Sequence, residues 1–165
     1  MKIERTLVLI KPDGIERGII GQIITRFEQA GLKISGLKLE MVNKEFAKKH
    51  YTEDISKRRG EKVRTQMVNM LSNGPVIAMV LEGVEAIPLV RKIVGATEPK
   101  AAAPGTIRGD FTHVSYAWSD AKNIGVKNVV HASSSKEDAK SEIVLWFAET
   151  ELHSYVSVHD KHILG

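Results

Sequence analysis

Apolar runs with two different periods alternate along the chain, separated by polar or Gly/Pro-rich breaks. Residues 6–10 are apolar, rich in β-branched side chains, and stop at Lys11-Pro12-Asp13-Gly14. This predicts a buried strand ending in a turn, with Lys11 at its end. In 19–30, Ile20, Ile23, Ile24, Phe27 and Ala30 recur at spacings of three and four, the stripe of an amphipathic helix, and Gly31 is placed to end it. Residues 34–42 alternate like a strand, and Asn43 can cap a helix running through His50 and Tyr51. A polar, charge-dense stretch over 52–62 precedes a second short helix near 63–71, which Asn73-Gly74-Pro75 ends. Residues 76–81 form the most continuous apolar run and predict a central strand, with a helix over 85–94. Residues 95–110 are rich in Gly, Pro, Ala and Thr without a period and predict a long loop, a feature that in compact domains is usually functional. Residues 128–131 predict a short last strand. Ser134-x-x-Glu137 has the form of a capping box opening a helix that carries Ala139, Ile143, Trp146 and Phe147.

This order is βαββαβ: an α+β, ferredoxin-like arrangement in which helices cover a four-stranded antiparallel sheet. At 165 residues and 42% hydrophobic content, with no repeat and no linker, the chain reads as a single domain over 1–165 that can bury a real core. Lys plus Arg number 24 against 20 acidic residues, a net charge of +4 that favours anionic partners while leaving nucleotides, nucleic acid and acidic surfaces all open. The absence of cysteine excludes a disulfide framework, a thiolate metal site and a cysteine nucleophile, and is compatible with a reducing cytosol. Charges in Met1-Lys2-Ile3-Glu4-Arg5 interrupt any signal-peptide or membrane-spanning stretch, so a soluble, cytoplasmic protein without a membrane partner is expected.

Basic residues fall at loops and element ends as well as on helix faces. Lys11 precedes the Pro-Asp-Gly turn, Arg91 lies in a helix, and Arg108 stands between Ile107 and Gly109. Arg forks grip phosphate oxygens bidentately and Lys acts as a point charge, so such a trio could hold a polyphosphate; each alone could equally be a solvated surface charge. His131 follows Val129-Val130 and precedes Ala132-Ser133-Ser134-Ser135, which puts an imidazole at a strand end facing a helix N-terminus, an anion-friendly place. A largely neutral imidazole has a lone pair for attack on phosphorus, and Glu142 on the next helix could fix its tautomer. Spacing alone leaves His131 either structural or nucleophilic. The other five histidines gain no role by spacing. There is no G-x-x-x-x-G-K-[ST] loop, no protein-kinase signature, and no H-E-x-x-H or carboxylate cluster to hold a metal, so any metal should arrive with a nucleotide.

From about Arg5 to about Tyr155 the chain resembles the nucleoside diphosphate kinases. Residues 6–14, Thr-Leu-Val-Leu-Ile-Lys-Pro-Asp-Gly, are similar to that family's opening strand. Gly95-Ala-Thr-Glu-Pro99 with Pro104-Gly-Thr-Ile-Arg-Gly-Asp-Phe111 is similar to its long substrate loop, and Asn128-Val-Val-His-Ala-Ser133 to its active-site signature. The resemblance implies a ferredoxin-like fold and ping-pong transfer of the terminal phosphate from a nucleoside triphosphate to a nucleoside diphosphate. It also implies Mg²⁺ bound through the nucleotide phosphates and a homo-oligomer, commonly a hexamer, with no requirement for nucleic acid. Position by position it implies that His131 is phosphorylated, that Glu142 orients it, and that Ser133 lies close by, able to bond the same carboxylate. It further implies that Lys11 serves the phosphates, that Tyr51 stands beside the histidine, that Arg91, Thr97 and Arg108 are phosphate ligands, and that Asn128 bonds the sugar.

Two regions depart from the family pattern, and both bear on the nucleotide base. The segment between Tyr51 and Asn73 is long and places Val63 where the family has an aromatic residue; residues 112–127 replace what is usually a short turn. If that insertion is extended, Tyr116 and Trp118 share one face, which leaves two readings equally open: one of them covers the base, or both pin the insertion to the body or to a neighbouring subunit. Ser134 stands where an aspartate is usual and can still cap the helix. The alternative reading, a non-catalytic ferredoxin-like nucleotide- or RNA-binding module, lacks the K/R-G-F/Y-G/A-F stacking motif and, at 5% aromatic residues, the base platforms it would need.

Overall fold

The computed structural model describes residues 3–165. Its centre is a four-stranded antiparallel sheet in the order β2-β3-β1-β4, built from β1 (Ile3–Ile10), β2 (Lys33–Met41), β3 (Pro75–Val84) and β4 (Val130–Ala132). That order, with its two helical crossovers, is the ferredoxin-like α+β topology expected from the element order.

β1 lies inside the sheet, so both of its faces are covered and its apolar run is continuous rather than alternating. On one face, α2 (Ile20–Gln29) and α6 (Ala86–Val94) pack Ile23, Phe27, Val90 and Val94 against Val8, Ile10, Met79 and Leu81. On the other, α3 (Lys44–His50), α5 (Glu61–Leu71) and α9 (Lys136–Trp146) pack Ala47, Val68, Leu71 and Trp146 against Leu7, Leu9, Ala78 and Val80. A fully buried side chain such as Leu7 or Phe27 contributes about 1.5–3 kcal/mol relative to exposure, so these two layers hold the strand ends in place. After α2, Gly31 takes φ +79°, a left-handed conformation that ends the helix at little steric cost.

Several elements differ from the sequence reading. β1 begins at Ile3, because Arg5 and Glu82 face each other in the β1–β3 register and pair at 2.7 Å, so charge at that end does not stop the strand. The Pro-Asp-Gly turn is the first part of a short helix, α1 (Pro12–Glu16). The charge-dense stretch carries α4 (Glu53–Arg59), which buries no residue and so shows no apolar stripe. Its acidic first turn, its basic last turn and an Asp54–Arg58 pair at 2.7 Å suit a helix in water. The long loop contains a 3-10 turn at Pro99–Ala101 and ends in α7 (Ile107–Phe111). The insertion is helical rather than extended: Ser115 caps α8 (Tyr116–Ala121) by accepting the Trp118 N–H. The cap of α9 is Ser135, accepting the Asp138 N–H at 3.0 Å, one residue later than expected; Ser133 is still tied to Leu7 of β1, so the chain turns afterwards.

Candidate active site

β4 starts at Val130 rather than at 128 because the chain makes a constrained approach to it. Val129 has φ +71°, a region that β-branched residues rarely occupy. The Asp13 carboxylate accepts its N–H at 3.0 Å, and its carbonyl accepts the Lys11 N–H at 2.8 Å. Gly14 permits this contact, since a Cβ there would meet Ile10 Cγ2 at 2.9 Å and Val129 Cγ1 at 3.1 Å. The Lys-Pro-Asp-Gly motif therefore shapes the turn that aims Asn128 and His131.

His131 lies opposite Leu9 in the β4–β1 register, and its Nε2 is 2.9 Å from Glu142 Oε1. The second Glu142 oxygen accepts the Ser133 hydroxyl at 2.5 Å. Burial pushes the Glu142 carboxyl up, but the His131 charge and hydrogen bond, with His50 and Ser133, outweigh it and hold the group below the usual carboxylate range. A carboxylate accepts, so His131 Nε2 donates in this bond, and Nδ1 is the ring nitrogen that Glu142 does not engage. Tyr51 and His50 flank this pair edge-on, with ring centroids 6.4 Å and 4.5 Å from that of His131. His50 was not foreseen, since nothing in its spacing marks it. Burial, chiefly, lowers its pKa to about 3, and its Nδ1 accepts the Trp146 indole N–H at 3.2 Å, so it is a neutral neighbour. Burial also raises the Tyr51 phenol, keeping it protonated.

The cations converge on the same side. Arg108 is buried, and its guanidinium donates to the carbonyls of Asn128 (3.3 Å), Gly95 (3.0 Å) and Val130 (2.8 Å), tying the long loop to β4. Burial and nearby Arg91 lower its pKa to about 10, which leaves it charged. Lys11 Nζ donates to the Asn128 side-chain oxygen, and Asn128 Nδ2 donates to the Thr97 carbonyl at 2.8 Å. Burial lowers the Lys11 ammonium to about 8, with Asp13 opposing and Arg108 adding to the shift.

Two cavities meet here. A cleft of about 270 Å³ is lined by His131, Ser134, Thr97 and four arginines, Arg58, Arg59, Arg91 and Arg108, with no acidic residue in its wall. It shares Arg59, Met67 and Thr97 with a second cavity of about 350 Å³, mostly apolar, between Val63, Met67 and Met70 of α5 and Tyr116, Ile124 and Val126 of the insertion; Lys11 and Asn128 stand in its wall as well. All the residues singled out from the sequence, Lys11, Tyr51, Arg91, Thr97, Arg108, Asn128, His131 and Glu142, lie at these cavities or directly behind them. Arg59 was missed, hidden in the charge-dense stretch. Trp118 does not share a face with Tyr116: on a helix, residues two apart diverge, and Trp118 is 56% exposed with Lys122 over its ring.

Four arginines around an imidazole held by a carboxylate suit the binding and transfer of a phosphate, chemistry that places the molecule among the phosphotransferases. Comparison with known proteins agrees and is more specific. The family model described as nucleoside diphosphate kinase matches residues 4–152. The nucleoside diphosphate kinase of Borreliella burgdorferi is 47% identical over 156 residues, 94% of this chain and 93% of that one. That of Pyrococcus abyssi is 50% identical over 157 residues, 95% of this chain and 92% of its own length. A solved transition-state mimic of the Borrelia burgdorferi nucleoside-diphosphate kinase, with bound vanadate and ADP, superposes with a TM-score of 0.94 at 46% identity, covering 96% of this chain and 95% of that one. The chain belongs to the nucleoside diphosphate kinase family.

Proposed function

We propose that this enzyme, as a single domain over 1–165, moves the terminal phosphate of a nucleoside triphosphate to a nucleoside diphosphate in two half-reactions through phosphohistidine at His131. The observation that carries the reading is the Glu142-fixed imidazole in a cleft of four arginines without a facing acid. His131 Nδ1 attacks the terminal phosphorus; an N–P bond forms as the bond from phosphorus to the bridging oxygen breaks, and the diphosphate departs with that oxygen's electron pair. The acceptor diphosphate then attacks the same phosphorus and frees Nδ1. Glu142 keeps the proton on Nε2 and stabilises the positive charge the ring gains on phosphorylation. Arg91, Arg108 and Thr97 stand where transferred oxygens gain charge, a placement that favours the transition state over the bound substrate.

The base takes the apolar cavity, with Asn128 at the sugar and Lys11 beside it serving the phosphates. The nucleotide phosphates would hold Mg²⁺, which would supply charge neutralisation at their oxygens. Among the described residues the one cluster able to offer three ligand atoms is His50, His131 and Glu142, which is richer in nitrogen than Mg²⁺ prefers, and both Glu142 oxygens are already bonded. On the edge strand β2, Leu37, Leu39 and Met41 are 50%, 63% and 72% exposed, an apolar row that supports a homo-oligomer, commonly a hexamer by resemblance. No helix among the described residues is long and apolar enough to cross a membrane; the cytoplasm is the proposed location, and no nucleic acid is required.

The test is incubation with γ-labelled ATP. Label that stays on the protein in alkali, leaves in acid and is discharged by any added nucleoside diphosphate supports the reading. No label, or equal labelling of His131→Ala, overturns it.

A further inference from the structure

The insertion over 112–127 walls the apolar cavity, and it is also bonded to the loop that carries Thr97. The Glu98 carboxylate accepts the Tyr116 N–H at 2.8 Å, and the Lys100 N–H donates to the Val114 carbonyl at 3.1 Å, so residues 98–100 and 114–116 are joined twice. Glu98 is extended, with φ −83° and ψ 117°, the conformation favoured before a proline such as Pro99. The N–H it meets is the first of α8, while the Ser115 hydroxyl takes the third, that of Trp118. A carboxylate there satisfies a donor that the helix leaves free, at the positive end of its dipole. The far side of the insertion is held independently. Gln66 of α5 donates its amide to the Asn123 side-chain oxygen at 3.3 Å, and Gly125 lies so close that a Cβ there would meet the Gln66 carbonyl at 3.3 Å. The Thr112 hydroxyl closes the insertion at its base on the Lys127 carbonyl, at 3.2 Å. The insertion is thus a brace between α5 and the long loop, and Glu98 is its joint.

We propose that Glu98 is a positioning residue for phosphate transfer: by fastening α8 to the long loop it fixes Thr97 and, through Thr97, Asn128. The proposal rests on the reading of Thr97 and Asn128 as substrate ligands. Thr97 precedes Glu98 in the chain, and its carbonyl accepts Asn128 Nδ2 at 2.8 Å, while the Asn128 side-chain oxygen accepts Lys11 Nζ. Arg108 holds the Gly95 carbonyl at 3.0 Å on one side of Thr97, and Glu98 holds the other. A shift of Glu98 passes through one peptide unit to Thr97, and a misplacement well under 1 Å at a phosphate ligand slows transfer. The bond is made to a backbone N–H, so Tyr116→Ala leaves it in place and a substitution of Glu98 breaks it.

The experiment is single-turnover discharge of the phosphorylated full chain by subsaturating ADP, for wild type, Glu98→Ala, Glu98→Asp and Glu98→Gln, with a thermal melt of each so that rates are compared where all are folded. Glu98→Ala should lower the rate by about 5- to 20-fold, the scale of one hydrogen bond to a charged group. Glu98→Asp keeps the charge but falls one methylene short of the Tyr116 N–H, so it should follow Glu98→Ala and carries the test if that variant does not fold. Glu98→Gln still presents a carbonyl oxygen and should stay within about threefold of wild type. In a Thr97→Ala background, Glu98→Ala should cost only about threefold or less, because residues that act as a unit are not additive. Wild-type rates in Glu98→Ala or Glu98→Asp, a loss in Glu98→Gln as large as in Glu98→Ala, or full additivity with Thr97→Ala overturns the positioning role and leaves the phosphotransfer reading standing. A wild type that takes no acid-labile label from γ-labelled ATP overturns that reading instead.

Discussion

The two ends of the site are built in different ways. The proposed phosphate end is assembled from the sheet itself: Lys11 follows β1, His131 lies on β4, and Arg108 is clamped to three backbone carbonyls. The proposed base end is made of α5 and a segment outside the sheet, with Met70 and Val63 sharing a cavity wall with Tyr116 and Ile124. Chemistry that depends on tenths of an ångström sits on the rigid part, whereas contact that depends mainly on apolar area sits where sequence can be lengthened and replaced. One fold can thus keep a reaction while its substrate preference changes.

Substitutions at the two ends should then separate, and the largest effect belongs to the nucleophile. His131→Ala should lower transfer by about 10⁴-fold or more while nucleotide affinity stays close to wild type, as measured by steady-state turnover beside equilibrium binding. Glu142→Gln keeps a hydrogen-bonding group but removes the charge that balances the phosphorylated ring; rapid-quench measurement should give a phosphorylation step slower by about 10- to 100-fold. Lys11 makes the phosphate end pH-sensitive. With a pKa near 8 it is cationic below that value and loses its charge as pH rises through it, so kcat/KM should fall by up to about tenfold on the alkaline side, and Lys11→Arg should remove that limb. Tyr116→Ala should leave the chemical step unchanged and weaken diphosphate binding by about 5- to 20-fold. If Tyr116→Ala instead slows the chemical step as Glu142→Gln does, the two ends are not separable.

The same division governs what the sequence reveals. Lys11 and Arg108 are legible because turn-forming neighbours, Pro12-Asp13-Gly14 and Gly109, flank them, and the first of those turns exists for a steric reason, the approach of Gly14 to Val129; Asn128 is reached only through the family resemblance. Strands β1 and β3 are legible because continuous burial leaves an unbroken apolar run. Helix α4 is not, since it buries nothing, and Arg59 goes unnoticed with it. Alternation in β2 is visible but misleading about burial: Leu37, Leu39 and Met41 point outward from the isolated chain. His50 carries no signal, because its importance comes from Trp146, 96 positions away. The helical state of the insertion turns on the Ser115 cap, and reading that segment as extended wrongly paired Trp118 with Tyr116.

The most direct test of the separation is the discharge half-reaction. Phosphorylated enzyme is mixed with increasing nucleoside diphosphate, and loss of the phosphoryl group is followed by rapid quench for wild type, Glu142→Gln and Tyr116→Ala. Glu142→Gln should lower the rate at saturation with little change in the half-saturating concentration. Tyr116→Ala should raise the half-saturating concentration by about 5- to 20-fold and reach the wild-type limiting rate. A limiting rate that falls in Tyr116→Ala as far as it does in Glu142→Gln would contradict the account.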